Sequence, residues 1–92
     1  MDVLHAVVRG RVQGVGFRWF VRERARRLGI RGWVRNRVDG CVEVAAAGEP
    51  ESLEQLRKSL SEGPSGAHVS AVDDLPDSTA PVDLPYPFTI VR

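Results

Sequence analysis

Gly10-Arg11-Val12-Gln13-Gly14-Val15-Gly16-Phe17-Arg18 separates two stretches of different periodicity, and its reading decides the fold. Before it, residues 3–9 form a short run rich in Val and Leu, the pattern of a first strand. Beyond it, the spacing predicts a helix over 18–28. Phe17, Phe20, Val21, Ala25 and Leu28 fall on one face, and Arg22, Glu23, Arg26 and Arg27 on the other. Gly29 follows where helices commonly end in a left-handed residue. The quoted segment is therefore a strand-to-helix loop, with Phe17 anchoring it against the sheet. Gly14 and Gly16 permit positive φ or close backbone approach. The helix that opens near Arg18 directs free N–H groups and the positive end of its dipole to the same spot. Arg18 adds a planar cationic fork that matches two oxygens of an anion. Two readings stay open on these residues alone: a cradle for one phosphate, or a structural glycine turn.

Further along the chain, Gly32-Trp33-Val34-Arg35-Asn36 and Gly40-Cys41-Val42-Glu43-Val44-Ala45 read as the strands of a hairpin, joined through an Asp39-Gly40 turn. Such strands are antiparallel neighbours. If the first strand lies beside them, the end of the hairpin comes close to the glycine loop. A second helix opens at Pro50 with Glu51 in its first turn, buries Leu53, Leu56 and Leu60, and stops at Gly63-Pro64. Residues 67–72 alternate as a half-buried strand, with His68 on the polar side. Residues 73–87, with Pro76, Pro81, Pro85 and Pro87, read as a mobile loop, and 88–91 as a short edge strand. The order predicts an α+β class, ferredoxin-like βαββαβ sandwich: an antiparallel sheet, two helices on one face and an extra short C-terminal strand. That fold hosts many activities and decides none.

At 92 residues the chain is expected to form one domain over 1–92. No apolar run approaches a membrane span, and the opening lacks the pattern of a signal peptide. Cys41 is the only cysteine, which excludes an internal disulfide and a cysteine-based metal cluster. A cytoplasmic monomer, without metal or cofactor, is the expectation. The net charge of +1 hides a skew. Residues 1–46 carry ten arginines against four acids, and residues 47–92 carry three basic residues against eight acids. The basic half contains the glycine loop and would draw anions toward it. Arg22, Arg24, Arg26, Arg27 and Arg31 have the blander reading of a solvated surface.

Two familiar phosphate motifs fail. The P-loop needs Lys and then Ser or Thr after its second glycine, and Phe17-Arg18 supplies neither. The dinucleotide fingerprint meets Trp19 where its third glycine belongs. Asn36 is the other polar residue of interest. An asparagine entering a turn commonly bonds its own backbone, so it is either a turn residue or a site residue. His5 has no partner spacing and reads as structural or exposed.

Residues 8–18 as a whole resemble the first signature of the acylphosphatases, and residues 32–36, with Gly40, Val42 and Gly48 behind them, resemble the second. Both signatures are filled without a mismatch at the family's spacing. The helix spacing, the Gly63-Pro64 stop and Phe88-Thr89-Ile90 extend the likeness over nearly the whole chain, with residues 73–87 longer and more irregular than the family pattern. The resemblance implies hydrolysis of a carboxylic–phosphoric anhydride to a carboxylate and inorganic phosphate, with neither metal nor phosphoenzyme. It implies that the amides of Gln13, Gly14, Val15, Gly16, Phe17 and Arg18, together with the Arg18 side chain, bind the phosphoryl group. Asn36 is implied to position the attacking water, making Arg18 and Asn36 the catalytic pair.

That division of labour suits the chemistry. A carboxylate leaves readily, so catalysis reduces to positioning and stabilising charge on the equatorial phosphoryl oxygens. Neither motif offers a carboxylate base, and a substrate phosphoryl oxygen can take the proton instead. An RNA-binding module of the same element order is the alternative of another class. Such modules stack bases on aromatic residues of the central strands, and residues 41–45 contain none. Carbamoyl phosphate as substrate, or service within a larger carbamoyl-transfer assembly, is a third alternative.

Overall fold

A computed structural model describes residues 2–76 and 83–92. In β1 (Asp2–Arg11) strict alternation sends Leu4, Ala6 and Val8 to one face and His5, Val7 and Arg9 to the other. After the loop, α1 (Phe17–Arg27) buries Phe17, Val21 and Ala25. The hairpin follows as β2 (Arg31–Asn36) and β3 (Val42–Gly48). Next comes α2 (Pro50–Glu62), which starts with proline in its first turn and buries Leu53, Leu56 and Leu60. The chain then forms β4 (His68–Asp74) and β5 (Thr89–Ile90). The predicted elements are all present, with ends within a few residues of the sequence reading.

The sheet order is β4-β1-β3-β2-β5. Pairings of β1 with β3, β1 with β4 and β2 with β3 are antiparallel, as expected. β5 instead runs parallel to β2, with Trp33 opposite Thr89 and Val34 opposite Ile90, so the five-stranded sheet is mixed. The reason is topological. β4 and β5 occupy opposite edges, and the chain reaches β2 by crossing the sheet rather than by a tight hairpin. β4 also reaches Asp74, two residues into the stretch read as loop, because Ala6 and Val7 of β1 pair with Asp74 and Asp73. Pairing overrides polarity at an edge strand, whose side chains can face water. The rest of the expected loop falls partly on residues 77–82, outside the described residues.

The core lies between the sheet and the two helices. Leu4, Ala6, Val8, Val34, Val42 and Val44 meet Phe17, Val21, Leu56 and Leu60 there. Burying one side chain such as Phe17 contributes on the order of 2–3 kcal/mol, and it fixes where α1 begins. The opposite face is also largely dry, although no helix among the described residues covers it. Val7 and Ala45 are buried there, on a face that also carries long side chains able to lie along apolar surface. Arg35 stacks 5.2 Å over the Trp33 ring, and Arg9 donates to Asp73 at 2.6 Å. No helix among the described residues is long and apolar enough to cross a membrane.

Candidate active site

Residues 12–16 leave the sheet between two apolar anchors, Val12 and Phe17, each 1% exposed. Between them φ is +75° at Gly14 and +76° at Gly16, while Val15, like every non-glycine residue described, avoids positive φ. The backbone thus reverses hand at successive residues, the arrangement that gathers N–H groups into an anion-binding nest. A Cβ at Gly14 or Gly16 would meet nothing within 4 Å, so conformation rather than space demands glycine there. Gly16 is also the N-cap of α1, and no side chain satisfies the free amides at that helix end. They remain available to a ligand. Arg18 stands in the first helical turn. Among the described residues it makes neither an ion pair nor a side-chain hydrogen bond.

The Gln13 side chain braces the loop from outside the cleft. Its side-chain amide donates to the carbonyls of Arg37, at 2.8 Å, and Cys41, at 2.9 Å. These two bonds tie the loop to the β2–β3 turn, where Arg37 in turn donates its backbone N–H to the Cys41 carbonyl at 2.8 Å. Asp39 holds the other side of the turn by accepting from the Cys41 N–H at 3.0 Å. That backbone bond, with help from the Arg37 charge, keeps the Asp39 carboxyl below its ordinary pKa despite the opposing effect of desolvation. The turn is therefore braced from both ends.

Asn36, the last residue of β2, is the consequence of that bracing. The two-residue period puts it on the same face as Val34, toward α1 and the loop. Its Oδ1 is buried and has no hydrogen-bond partner among the described residues. The local bond to its own backbone, which would have made it a mere turn residue, is not formed. Buried acceptors are normally satisfied, and one left open beside a cleft is positioned for a ligand or water.

Loop, helix start and Asn36 converge on one cleft of about 330 Å³, lined by Gly14, Gly16, Phe17, Arg18, Trp19, Asn36 and by Arg92 at its rim. Of the residues singled out in the sequence, Gln13 and Val15 are absent from the lining. Gln13 turns to the hairpin, and Val15 packs on the core. Their backbone amides still belong to the loop. Trp19 and Arg92 had no such signal in the sequence. Arg92 reaches the cleft because β5 aligns Ile90 with Val34, and the Val91 N–H then donates to the Val34 carbonyl at 2.9 Å. A second cavity of about 390 Å³ adjoins the first, shares Asn36 and Arg92 with it, and is otherwise lined by Arg35, Arg37 and Val38. Two larger hollows, of about 530 Å³ on α2 and about 550 Å³ between α2 and the end of α1, lie among charged surface side chains and contain none of these features.

Beneath the hairpin lies a polar cluster that the sequence did not reveal. His5 donates from Nε2 to Glu43 at 2.6 Å, and Arg35 donates from Nε to the other carboxylate oxygen at 2.9 Å. His5 and Glu43 are both buried. Burial pushes the Glu43 pKa up, but the bonds from His5 and Arg35 outweigh it and hold the carboxyl below its ordinary value. The cluster fixes Arg35, the immediate neighbour of Asn36, and gives His5 the structural role read for it.

Comparison with known proteins identifies this geometry. The sequence model of one family, acylphosphatase, matches residues 4–83. An acylphosphatase of Cupriavidus pinatubonensis is 52% identical over 73 residues, spanning 79% of this chain and 81% of that one. The crystal structure of acylphosphatase from Bacillus subtilis superposes over 100% of both chains, with a TM-score of 0.85 and 32% identity. HypF of T. kodakarensis contains a similar unit: 100% of this chain matches 12% of that chain at a TM-score of 0.80 and 29% identity. With the family model matched over most of its length and a relative this similar across four-fifths of both chains, the chain belongs to the acylphosphatase family, and its activity is the hydrolysis of acyl phosphates.

Proposed function

We propose that the loop amides of Gln13, Gly14, Val15, Gly16, Phe17 and Arg18, with the Arg18 guanidinium, hold the phosphoryl group while Asn36 Oδ1 holds the attacking water. The observation that carries this reading is the buried, unpartnered Asn36 Oδ1 in the same cleft as the hand-reversing loop. Water donates one hydrogen bond to Oδ1 and directs its oxygen lone pair at phosphorus. The new O–P bond forms as the bond to the acyl oxygen breaks, and the acyl group departs as a carboxylate. One proton of the water passes to a non-bridging phosphoryl oxygen, and the product is inorganic phosphate. Charge that develops on the phosphoryl oxygens meets donors already in place, which is where the rate enhancement arises. No phosphoenzyme or metal takes part, and the protein acts as a monomer on a small molecule in the cytoplasm. The lone buried thiol of Cys41 suits a reducing compartment.

On the open sheet face, the central strands carry His5, Val7, Glu43 and Ala45, a set with no ring free for base stacking. That composition supports a small-molecule substrate over RNA. The test is hydrolysis of benzoyl phosphate in EDTA and in water enriched in oxygen-18. The label is expected in phosphate and not in benzoate, with a simple phosphate monoester almost untouched. Label in benzoate, a requirement for added metal, or equal rates on the monoester would overturn the reading.

A further inference from the structure

The chain has six aromatic residues other than histidine, and all but one are accounted for by the fold. Phe17 and Phe88 are core residues, 1% and 0% exposed. Phe20 carries the Arg24 guanidinium 4.9 Å over its ring and Tyr86 carries Arg31 at 5.8 Å. Trp33 is covered by Arg35 and touched edge-on by His5. Trp19 is 58% exposed, and among the described residues its indole makes no ring contact, cation–π contact or hydrogen bond. An indole left bare costs solubility and contributes little to the core, yet this one lines the catalytic cleft together with Arg18 and Asn36.

We propose that Trp19 is the contact surface for the acyl group, and that the enzyme favours acyl phosphates whose acyl part is aromatic or broadly apolar. The inference rests on the water-holding role of Asn36 stated above. In-line displacement puts the leaving group on the side of phosphorus away from the attacking water. Asn36 Oδ1 is buried at the sheet, so the acyl oxygen points outward to the mouth of the cleft. Trp19 stands there. Phe17, two residues earlier, faces the core, and a two-residue step turns about 200° around the helix, which carries Trp19 to the outer side. The adjoining cavity, lined by Arg35, Arg37 and Val38 and sharing Asn36 and Arg92 with the cleft, is cationic and offers an acyl group no comparable apolar surface. A rigid indole beside the departing acyl group offers apolar contact and offset stacking at little entropic cost.

The experiment compares kcat/KM for benzoyl phosphate and acetyl phosphate in the wild type, Trp19→Ala and Trp19→Phe. The preference ratio, benzoyl over acetyl, is expected to fall roughly fivefold to tenfold in the alanine variant, the size of a lost aromatic contact. It should appear mainly in KM, because stacking is shared by ground and transition states. The phenylalanine variant is expected to recover most of the ratio. An unchanged ratio in Trp19→Ala, with both substrates equally affected, overturns the proposal and leaves the indole a role only in loop structure. A ratio that responds to Arg92→Ala and not to Trp19 also overturns it and puts the acyl group over the arginines. Failure of the wild type to hydrolyse either substrate would instead strike at the proposed function itself.

Discussion

The side-chain nitrogen of Gln13 lies 2.8 Å from the carbonyl oxygen of Arg37, a bond that joins the glycine loop to the hairpin turn one residue beyond Asn36. With its twin to the Cys41 carbonyl, it ties the glycine loop directly to the turn that follows Asn36. The loop amides proposed to hold the phosphoryl group and the Asn36 proposed to hold the water come from different elements, and this amide bridges them.

Gln13→Ala should therefore damage stability and turnover together. The Arg37 and Cys41 carbonyls each lose one of two donors, keeping a backbone N–H, at a cost of about 1 kcal/mol, and Tm is expected to fall by about 4–8 °C for a domain of this size. Below that melting range kcat should still drop about tenfold or more, since small misplacements of reacting groups are costly. Thermal melts paired with benzoyl phosphate kinetics at 25 °C check both; a melting loss with unchanged kcat would show that the tie is structural only.

Arg18 and Asn36 should separate cleanly in kinetics. Asn36→Ala is expected to lower kcat by about 10²–10³-fold, as for loss of one preorganised polar group, while inhibition by inorganic phosphate stays close to the wild type. Arg18→Ala should weaken phosphate inhibition and turnover alike, and Arg18→Lys should restore little, because a point charge does not replace a two-pronged fork. Phosphate inhibition constants measured for all three variants decide the assignment.

Glu43 predicts an acid-sensitive component of stability. Its folded pKa lies below the ordinary value of 4.5, because the bonds from His5 and Arg35 overcome desolvation. The unfolded chain thus takes up the proton first as pH falls. The stabilisation is complete above the unfolded pKa and is lost as pH drops through the folded one. Urea midpoints of the wild type and Glu43→Gln should differ by a constant amount at neutral pH and converge below about pH 4.5. A gap that widens on acidification would contradict this. Glu43→Ala, which removes the buried carboxylate that His5 and Arg35 share, should cost about 3 kcal/mol at neutral pH.

Arg92 is predicted to assist substrate capture. It sits on the rim of the cleft and belongs to no ion pair among the described residues. Arg92→Ala should raise KM about threefold to fivefold at low ionic strength and much less at 0.5 M salt, where an exposed charge is screened. A KM effect independent of salt would point to a packing role for its side chain.

Local chemistry wrote most of this fold into the chain. The 2.0 and 3.6 periodicities, the proline at the start of α2 and the glycines that end both helices act within a few residues, so their elements are legible without the tertiary structure. The loop was legible for the same reason, as was Asn36 through the second motif. Three features were not. Residues 73–74 look like loop because they are polar, and only their pairing with β1 makes them strand. His5 and Glu43 lie 38 residues apart, and no local pattern announces their bond. Trp19 is one more apolar residue in an amphipathic helix until its exposure and lack of partners are known.

The sequence by itself determined that residues 10–18 form a glycine loop opening a helix near Arg18, since φ preference, amide donors and fixed charge are properties of the residues themselves, whereas Asn36 stood out only through its likeness to the family's second signature. Tertiary structure decided which of those groups share a cleft. β1, paired with β3 of the hairpin, brings the loop to it, Gln13 locks the two together, and Asn36 Oδ1 is left buried without a partner among the described residues. The parallel alignment of β5 with β2 then adds Arg92 to the rim. These relationships depend on strand order and register, which arise from long-range packing and hydrogen bonding between segments far apart in the chain.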